Sequence, residues 1–436
     1  MSAFSRLFHR RLFESRTEAI EIEGVDTLTV HKRALWVLRL SSTFSRGAVS
    51  ASFPVAVLAI KDLLGSETWA GLSTAFSTLG SALAAGWLAS FMQRKGRTPG
   101  LALGLAGAVL GAVVCVVAIQ VGALPLFLLG MLMVGVGSGT SNMSRYAAAD
   151  LATDRYRSRD IGSIVFFATF GAVVAPNLIG VLGDFAESLG LDSNAGGFLA
   201  AIVLFGLASA VIWFFMRPDP LVVAGGVSSK ATRTREPVPF RRAVAIAWAH
   251  PLARLAFVAL VLSQAVMVMV MAMTPLHMED HGHSKGWIGA VISAHTAGMF
   301  ALAPLAGWLS DRYGRLQIIV LAGFTLGGAT VLTALAGEAP RALLFPGLFL
   351  LGLGWSFGVV AGSALLTESV AERDRVAVQG AADLATNVAS GVGALTAGFV
   401  VSGAGYHILS MMGMAAAGVL LAQSWFENRV AAGYVT

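Results

Sequence analysis

The strongest constraint on this chain is a series of apolar runs, each long enough to cross a lipid bilayer. A helix needs about 20 apolar residues to span the hydrocarbon core, and twelve runs of that kind occur in the 436 residues. They cover 35–60, 68–91, 99–120, 124–147, 160–182, 197–216, 252–276, 286–309, 316–336, 342–366, 376–401 and 404–425. Only 12% of the residues are charged, roughly half the fraction of a soluble domain. The sequence therefore predicts an all-α membrane protein with twelve transmembrane helices.

Polar segments divide these runs into two halves. Residues 1–34 form a predicted cytoplasmic tail, whose first turns have the spacing of an amphipathic helix lying on the membrane surface. The first six-helix half is 35–216, the linker 217–250 is rich in Pro, Gly, Ser and basic residues, and the second half is 251–425. Residues 426–436 complete the chain as a second cytoplasmic tail.

The two halves repeat each other at a shift of 218 residues, the separation of Arg97 and Arg315. Arg94 corresponds in the same way to Arg312, and Asp150 corresponds to the acidic Glu368. Parallel repeats of this kind place a substrate site near the middle of the membrane, between the halves. The repeat therefore predicts a site at their interface.

The distribution of basic residues predicts the orientation. With both termini inside, only Lys61, Lys285 and Arg341 fall in outer connections, so the positive-inside rule places the termini and the linker in the cytoplasm. The net charge of +6 lies in short loops between apolar runs, which favours lipid headgroups and not nucleic acid as the partner. The N-terminus lacks the pattern of a signal peptide. We expect a monomer in the cytoplasmic (inner) membrane.

Soft metal ligands are concentrated within two of the predicted helices. Met267 and Met271 lie four residues apart on the seventh helix, and His295 and Met299 have the same spacing on the eighth. Residues four apart share a helix face, and antiparallel helices bring the two pairs to similar depth. Thioether and imidazole ligands together select Cu(I). The competing interpretation is that Met simply fills gaps in apolar packing.

The connection between these helices carries three further imidazoles, His277, His281 and His283. In the predicted orientation it faces outward, so these side chains are candidates for collecting an incoming metal ion. An exposed polar turn that only joins two helices is the alternative.

A nine-residue motif joins the eighth and ninth helices, running from Gly307 through Asp311 and Arg312 to Arg315. It resembles the signature of the major facilitator superfamily, and the resemblance covers about 35–425. The first-half copy is degraded, with Ser90 where the acid is expected. The resemblance implies gating roles at the cytoplasmic ends of the helices. The residues that it assigns to gating are Asp311, Arg312, Arg315, Arg94 and Arg97. Arg145, near the cytoplasmic end of the fourth predicted helix, is expected to brace the same gate or to snorkel to the membrane surface.

Within that superfamily, the paired Met–Met and His–Met motifs, with Thr274, Pro275 and Leu276 after the first, resemble the CcoA-type copper importers of bacteria. The resemblance implies copper uptake, with Met267, Met271, His295 and Met299 as the metal-handling residues. Related members of that group are thought to carry riboflavin.

A few polar residues lie deep within the predicted spans. Arg46 on the first helix repels a bare cation and attracts an anion. Asp383 on the eleventh helix is the carboxylate expected to neutralise Arg46 or to couple transport to protons. Asn387, one turn further, and Gln264 complete the predicted substrate and coupling residues.

These observations predict a secondary active transporter that works by alternating access, neither an enzyme nor a protein with a resident cofactor. Copper is the leading cargo at this stage. The first alternative is a transporter or exporter of an organic anion or of a flavin-like or drug-like molecule, with Arg46 as its anchor. The second is a membrane sensor whose outer histidines report metal or pH.

Overall fold

The computed structural model describes residues 22, 24–64, 72–225, 238–280, 285–336 and 341–433. In these ranges the regular structure is almost entirely helical, and the predicted all-α fold is confirmed. His281 and His283, predicted to help collect a metal ion, lie outside the described residues. The predicted amphipathic start of the N-terminal tail lies outside them too.

The helices of the first half begin before the predicted boundary at residue 35. Asp26 accepts a hydrogen bond from the Thr29 backbone N–H, at 3.1 Å, which satisfies one of the unpaired donors at the start of the first helix. The helices are α1 Thr27–Leu64, α2 Leu72–Lys95, α3 Arg97–Val121, α4 Leu124–Ala149, α5 Arg157–Val174, α6 Ile179–Ser188 and α7 Ala195–Phe215.

The predicted linker contains two short helices, α8 Pro220–Val223 and α9 Phe240–Ala249. Asp219 caps α8 through the backbone N–H groups of Leu221 and Val222. The same carboxylate accepts from the Thr98 N–H at 2.6 Å, so this part of the linker is fixed to the start of α3.

The second half has the same order of elements. Its helices are α10 Pro251–Asp280, α11 Lys285–Thr296, α12 Ala303–Tyr313, α13 Arg315–Leu335, α14 Arg341–Glu368, α15 Glu372–Ala404 and α16 Tyr406–Gly433. The last helix continues through most of the predicted C-terminal tail. There Glu427 is fully buried and forms an ion pair with Arg254 at 2.5 Å.

Two of the predicted spans are not continuous α-helices. Ala175–Leu178 forms a 3-10 segment between α5 and α6. A π-helical segment, Ala297–Ala301, separates α11 from α12, and the two parts of this span meet at 41°. Pro304 stands at the start of α12, where its missing N–H and its ring oppose a continuous helix. In the described ranges ten helices are long and apolar enough to cross a membrane, or eleven with the bent pair.

The sequence repeat is visible in the backbone. Gly96 and Gly314, which correspond at the repeat shift, both have positive φ, 98° and 106°. Each glycine lies between the end of one helix and the start of the next. A residue with a Cβ rarely adopts a positive φ of this size. The glycines at this turn are therefore required twice, once in each half.

Packing groups most of the buried apolar residues into one core for each half, although Ala149 and Ile161 of the first half pack into the second-half core and Val376 of the second half packs into the first. Leu38, Leu105 and Phe205 belong to the first-half core, whereas Leu260 and Leu366 belong to the second. Outward-facing residues such as Phe214 and Phe399 are largely exposed, as expected for surfaces that face lipid. The remaining space between the two cores contains the polar residues described next.

Candidate functional site

A polar cavity lies between the two halves. Its volume is about 80 Å³, room for two or three water molecules at about 30 Å³ each. A larger molecule would require the side chains around it to move. The lining residues come from both halves and are Ser42, Arg46, Ser141, Asn142, Arg145, Ile164, Val165, Ala168, Leu260, Gln264, Phe300, Trp355, Val359, Asp383, Thr386 and Asn387.

Arg145 and Asp383 form the ion pair of this cavity and join α4 to α15. Arg145 donates to Asp383 at 2.5 Å and to the Ser363 hydroxyl at 3.0 Å. The Tyr146 hydroxyl donates to the same carboxylate oxygen at 3.3 Å, while the second oxygen, Oδ2, is buried without a hydrogen-bond partner. We predicted Arg145 for the cytoplasmic gate, but it lies in the cavity wall.

Arg46 does not pair with Asp383, so the predicted charge pair was wrong. Its guanidinium donates to the Asn142 side-chain oxygen at 3.3 Å and lies 5.6 Å from the centre of the Phe300 ring. Among the described residues, no carboxylate lies within ion-pair distance of Arg46. Since Arg145 already neutralises Asp383, the cavity retains an excess positive charge at Arg46.

Aromatic and amide groups complete the second-half wall. The Trp355 indole N–H donates to Gln264 at 2.6 Å, and the Gln264 amide donates to the Ser390 hydroxyl at 3.0 Å. Phe300 packs edge to face on Trp355, with ring centroids 5.6 Å apart. Phe300 belongs to the π-helical segment, and such segments occur frequently at functional sites. The predicted Gln264 therefore lies in the cavity, as part of a fixed polar and aromatic wall.

The predicted metal ligands lie outside this cavity lining. Met267 is buried in a cluster of apolar side chains, against which Met271 and Met299 also pack. His295 is 3% exposed. Its Nδ1 hydrogen-bonds the Leu348 backbone carbonyl at 2.9 Å. Since a carbonyl only accepts, Nδ1 is the donor, and the buried Nε2 has no hydrogen-bond partner.

His277 does not belong to an exposed outer loop, which corrects the prediction. It lies within α10 and is buried, with its ring stacked on Tyr406 at a centroid distance of 4.2 Å. Tyr406 also forms a 2.8 Å hydrogen bond with the Thr274 hydroxyl. Within the described ranges, His, Cys, Asp and Glu side chains do not gather in groups of three that could hold a metal ion.

The nine-residue motif joins the two halves through a contact between Asp311 and the start of α5, which we call the clasp. Asp311 accepts hydrogen bonds from the backbone N–H groups of Ser158 and Arg159, at 3.0 and 2.8 Å. These donors are at the start of α5, where the helix dipole favours a carboxylate. Arg315 also contacts Asp311, at 3.1 Å. The contact is thus between α12 of the second half and α5 of the first.

The repeat produces two equivalent ion pairs near this clasp. Arg97 pairs with Asp150 at 2.8 Å, with both side chains fully buried, and Arg315 pairs with Glu368 at 2.9 Å. Arg97 also donates to Gln379 on α15 at 2.7 Å, which crosses between the halves. Arg94 lies in the last turn of α2, and Arg312 lies over the rings of Trp308 and Tyr313.

The acid that the first-half motif lacks is replaced by Gln93 and not by Ser90. Gln93 corresponds to Asp311 at the repeat shift, and its amide donates to the Arg373 backbone carbonyl at the start of α15, at 3.0 Å. Ser90 is at the protein surface and bonds only to its own helix, at the Gly86 carbonyl. The clasp is therefore charged at one contact between the halves and neutral at the equivalent one.

Small residues allow the halves to approach closely at the clasp, and the contact is looser further along α15. A Cβ added to Gly380 would lie 2.2 Å from that of Ala89, and one added to Gly162 would lie 2.4 Å from the Ala303 carbonyl. Beyond the cavity on α15, a Cβ on Gly391 would be 4.0 Å from the nearest atom of Thr78. The halves are thus in close backbone contact at the ends with the basic residues.

Sequence reasoning missed several residues of the cavity. Asn142 lies one turn from Arg145, and Phe300 follows Met299, yet neither carries a charge or a repeat that would single it out. Another missed contact is the hydrogen bond between buried His31 and Asp160, at 2.9 Å, which joins α1 to α5. Asp160 is a carboxylate at the start of a predicted span, and that was the one available signal.

Comparisons with known proteins agree with this architecture. A family model described as the Major Facilitator Superfamily matches residues 35–291 and 255–433. The uncharacterized MFS-type transporter YdeG of Bacillus subtilis is 36% identical over 389 residues, 88% of this chain and 89% of that protein. The riboflavin transporter RfnT of Brucella anthropi is 27% identical over 341 residues, 77% of this chain and 82% of that protein. The crystal structure of the human organic anion transporter MFSD10 matches with a TM-score of 0.70 at 16% identity, over 91% of this chain and 99% of that chain.

Proposed function

This chain belongs to the Major Facilitator Superfamily, and from that premise we propose that it carries a small organic anion across the membrane by alternating access. The single observation that supports this cargo is Arg46, a buried guanidinium in the cavity that contacts the Asn142 amide and the Phe300 ring. A buried charge without a counter-ion is costly. An anionic group on the cargo would supply the missing charge.

The rest of the cavity favours a cargo with a flat ring. Phe300 and Trp355 offer aromatic faces and edges beside Arg46, and aromatic pairs stabilise one another by about 0.5–1.5 kcal/mol beyond burial. Gln264, Asn142 and Asn387 provide amide groups for hydrogen bonds around such a ring. A cargo of that size requires side chains around the cavity to move, because the cavity holds only a few water molecules.

Ligand binding tests this proposal directly. Purified protein is titrated with benzoate as an aromatic anion, benzamide as its neutral analogue, and riboflavin, and the thermal unfolding midpoint is recorded. We expect stabilisation by the anion and not by benzamide, abolished by Arg46→Gln and retained in part by Arg46→Lys. Stabilisation by riboflavin that is unchanged in Arg46→Gln would instead indicate a neutral flavin cargo and contradict the role of Arg46.

A second cargo, Cu(I), is favoured by the state of His295. With Nδ1 donating to Leu348, the neutral ring presents a bare Nε2, as in histidines that bind metals and are oriented through the other nitrogen. Copper accumulation is measured in two double variants. One combines Met267→Ala with Met271→Ala, and the other combines His295→Ala with Met299→Ala. Loss of uptake in both pairs, with normal protein levels, is expected of a copper carrier, and normal uptake in both excludes that cargo.

We also propose that the protein lies in the cytoplasmic membrane as a monomer, with both termini in the cytoplasm. For coupling, we propose that Asp383 carries a proton, since its Oδ2 is buried in the cavity without a partner. Transport driven by a proton gradient would then require Asp383 but not His277, His281 or His283.

A further inference from the structure

A basic and aromatic pocket, separate from the central cavity, lies where α5 of the first half meets α12 of the second. Its volume is about 350 Å³. The lining residues are Arg155, Tyr156, Arg159, Trp308, Asp311 and Arg312. By the positive-inside rule, this end of the protein faces the cytoplasm, so the pocket is at the level of the lipid headgroups.

The three arginines of the pocket are held against aromatic rings. Arg155 and Arg159 lie 5.5 and 4.5 Å from the centre of the Tyr156 ring. Arg312 lies 5.4 Å from the centre of the Trp308 ring. Such stacking orients a guanidinium while leaving its N–H edge available for an anion. Arg155 and Arg312 are exposed and come from opposite halves.

The one acid in the pocket does not cancel this charge. Asp311 is occupied by the Ser158 and Arg159 backbone N–H groups and by Arg315 at 3.1 Å. Its carboxylate therefore serves the clasp between the halves. The exposed Arg155 and Arg312 therefore lie at a pocket whose one acid is already neutralised.

The repeat provides a natural comparison, because the equivalent contact between α2 and α15 lacks this chemistry. At the repeat shift, Trp308 corresponds to Ser90, Tyr156 to Asp374, and Arg159 to Ala377. Arg155 corresponds to Arg373, whose side chain instead pairs with Asp374 at 3.3 Å. The fold itself therefore does not require a basic aromatic pocket here.

We propose that this pocket binds the phosphate of an acidic phospholipid headgroup from the cytoplasmic leaflet. Guanidinium groups match phosphate geometry, and basic pockets between helices on this side of a membrane are suited to anionic headgroups. Trp308 and the exposed Tyr313 have the amphipathic character of residues at the membrane interface. A phosphate between Arg155 and Arg312 bridges the two halves and stabilises the closed clasp.

The test measures the unfolding midpoint of the purified full-length protein in an uncharged detergent. It is titrated with dioleoylphosphatidylglycerol, with dioleoylphosphatidylcholine, or with inorganic phosphate alone. We expect saturable stabilisation by phosphatidylglycerol only. Replacing both Arg155→Gln and Arg312→Gln should raise its half-saturating concentration roughly thirtyfold, since each of the two basic residues near an anionic surface contributes about one kcal/mol.

Arg373→Gln is the matched control, since it removes the repeat-equivalent arginine, and its titration should equal that of the wild type. Native mass spectrometry provides a second measurement, with retained phosphatidylglycerol expected on the wild type and lost from the double variant. An unchanged titration in the double variant, or an equal loss in Arg373→Gln, overturns the proposal. Equal stabilisation by inorganic phosphate alone assigns the pocket to free phosphate and also overturns the lipid assignment.

Discussion

At the scale of single residues, the partner of each buried charge determines what it can do. Asp383 and Arg145 neutralise each other across the two halves, so neither provides the net charge of the cavity. Arg46, which faces Asn142 and Phe300, does provide it. If Asp383 were paired with Arg46 instead, the unpaired positive charge of the cavity would lie on Arg145.

The Asp383–Arg145 pair predicts a specific pattern of coupling. Asp383→Asn or Arg145→Gln alone leaves one buried charge unpaired, which costs about 3–5 kcal/mol of stability. The double variant should lose less than the sum of the two single variants. Thermal or denaturant unfolding of the four proteins in detergent measures this interaction.

The control for this cycle combines Asp383→Asn with Arg46→Gln. Because those side chains do not pair, their interaction free energy should be much smaller than that of Asp383 with Arg145. Additive effects for Asp383 with Arg145, and a strong interaction with Arg46, would show that the pairing described here is incorrect.

At the scale of elements, the halves meet through small residues where helices touch. Gly380 of α15 lies against Ala89 of α2, and Gly162 of α5 lies against Ala303 of α12. These contacts correspond to each other at the repeat shift, since Ala303 and Gly162 match Ala85 and Gly380. Small side chains here allow backbones to approach closely in lipid, and they position Asp311 to reach the start of α5.

Enlarging one of these glycines should open the clasp. Gly380→Leu would place a side chain where a Cβ alone comes within 2.2 Å of Ala89, and such overpacking costs about 1–3 kcal/mol. The unfolding midpoint should fall, and transport should slow. Gly398→Leu is the control on the same helix, because nothing lies within 4 Å of its added Cβ. Equal effects of both substitutions would contradict a close contact at Gly380.

At the scale of the whole molecule, the structure represents one state of a two-sided carrier. The clasp is closed at the ends with the basic residues, and the contact at Gly391, beyond the cavity, is looser. With the predicted orientation, the closed end faces the cytoplasm, so we expect this to be the outward-facing state. The clasp is charged on one side, at Asp311, and neutral on the other, at Gln93, so the two contacts differ in strength.

Accessibility to a thiol reagent tests this state. Thr386→Cys, in a Cys115→Ser background, places a thiol in the cavity wall. A membrane-impermeant maleimide should label it from outside the cell. Adding Asp311→Asn removes the charge that holds the start of α5, so labelling from outside should fall and labelling from the cytoplasmic side should rise, as measured in oriented vesicles.

Asp62→Asn in the same background is the control, since Asp62 lies at the far end of α1 and contacts Asn194. Its labelling should match that of the parent. Labelling of the parent from the cytoplasmic side alone would contradict the outward-facing assignment or the predicted orientation of the chain.

The sequence by itself determined the membrane location, the approximate positions of the helices and the repeat of the two halves. Hydropathy and a fixed shift are properties of the linear chain, so Arg97 with Asp150 and Arg315 with Glu368 could be aligned before their contacts were known. The tertiary structure decided which deep residues meet: Asp383 pairs with Arg145, Gln93 occupies the place of Asp311, and His277 stacks on Tyr406. Such contacts depend on the rotation and depth of each helix to within about 1 Å, because hydrogen bonds and ion pairs form over a narrow range of distance. A linear pattern of apolar residues does not fix helix rotation that closely.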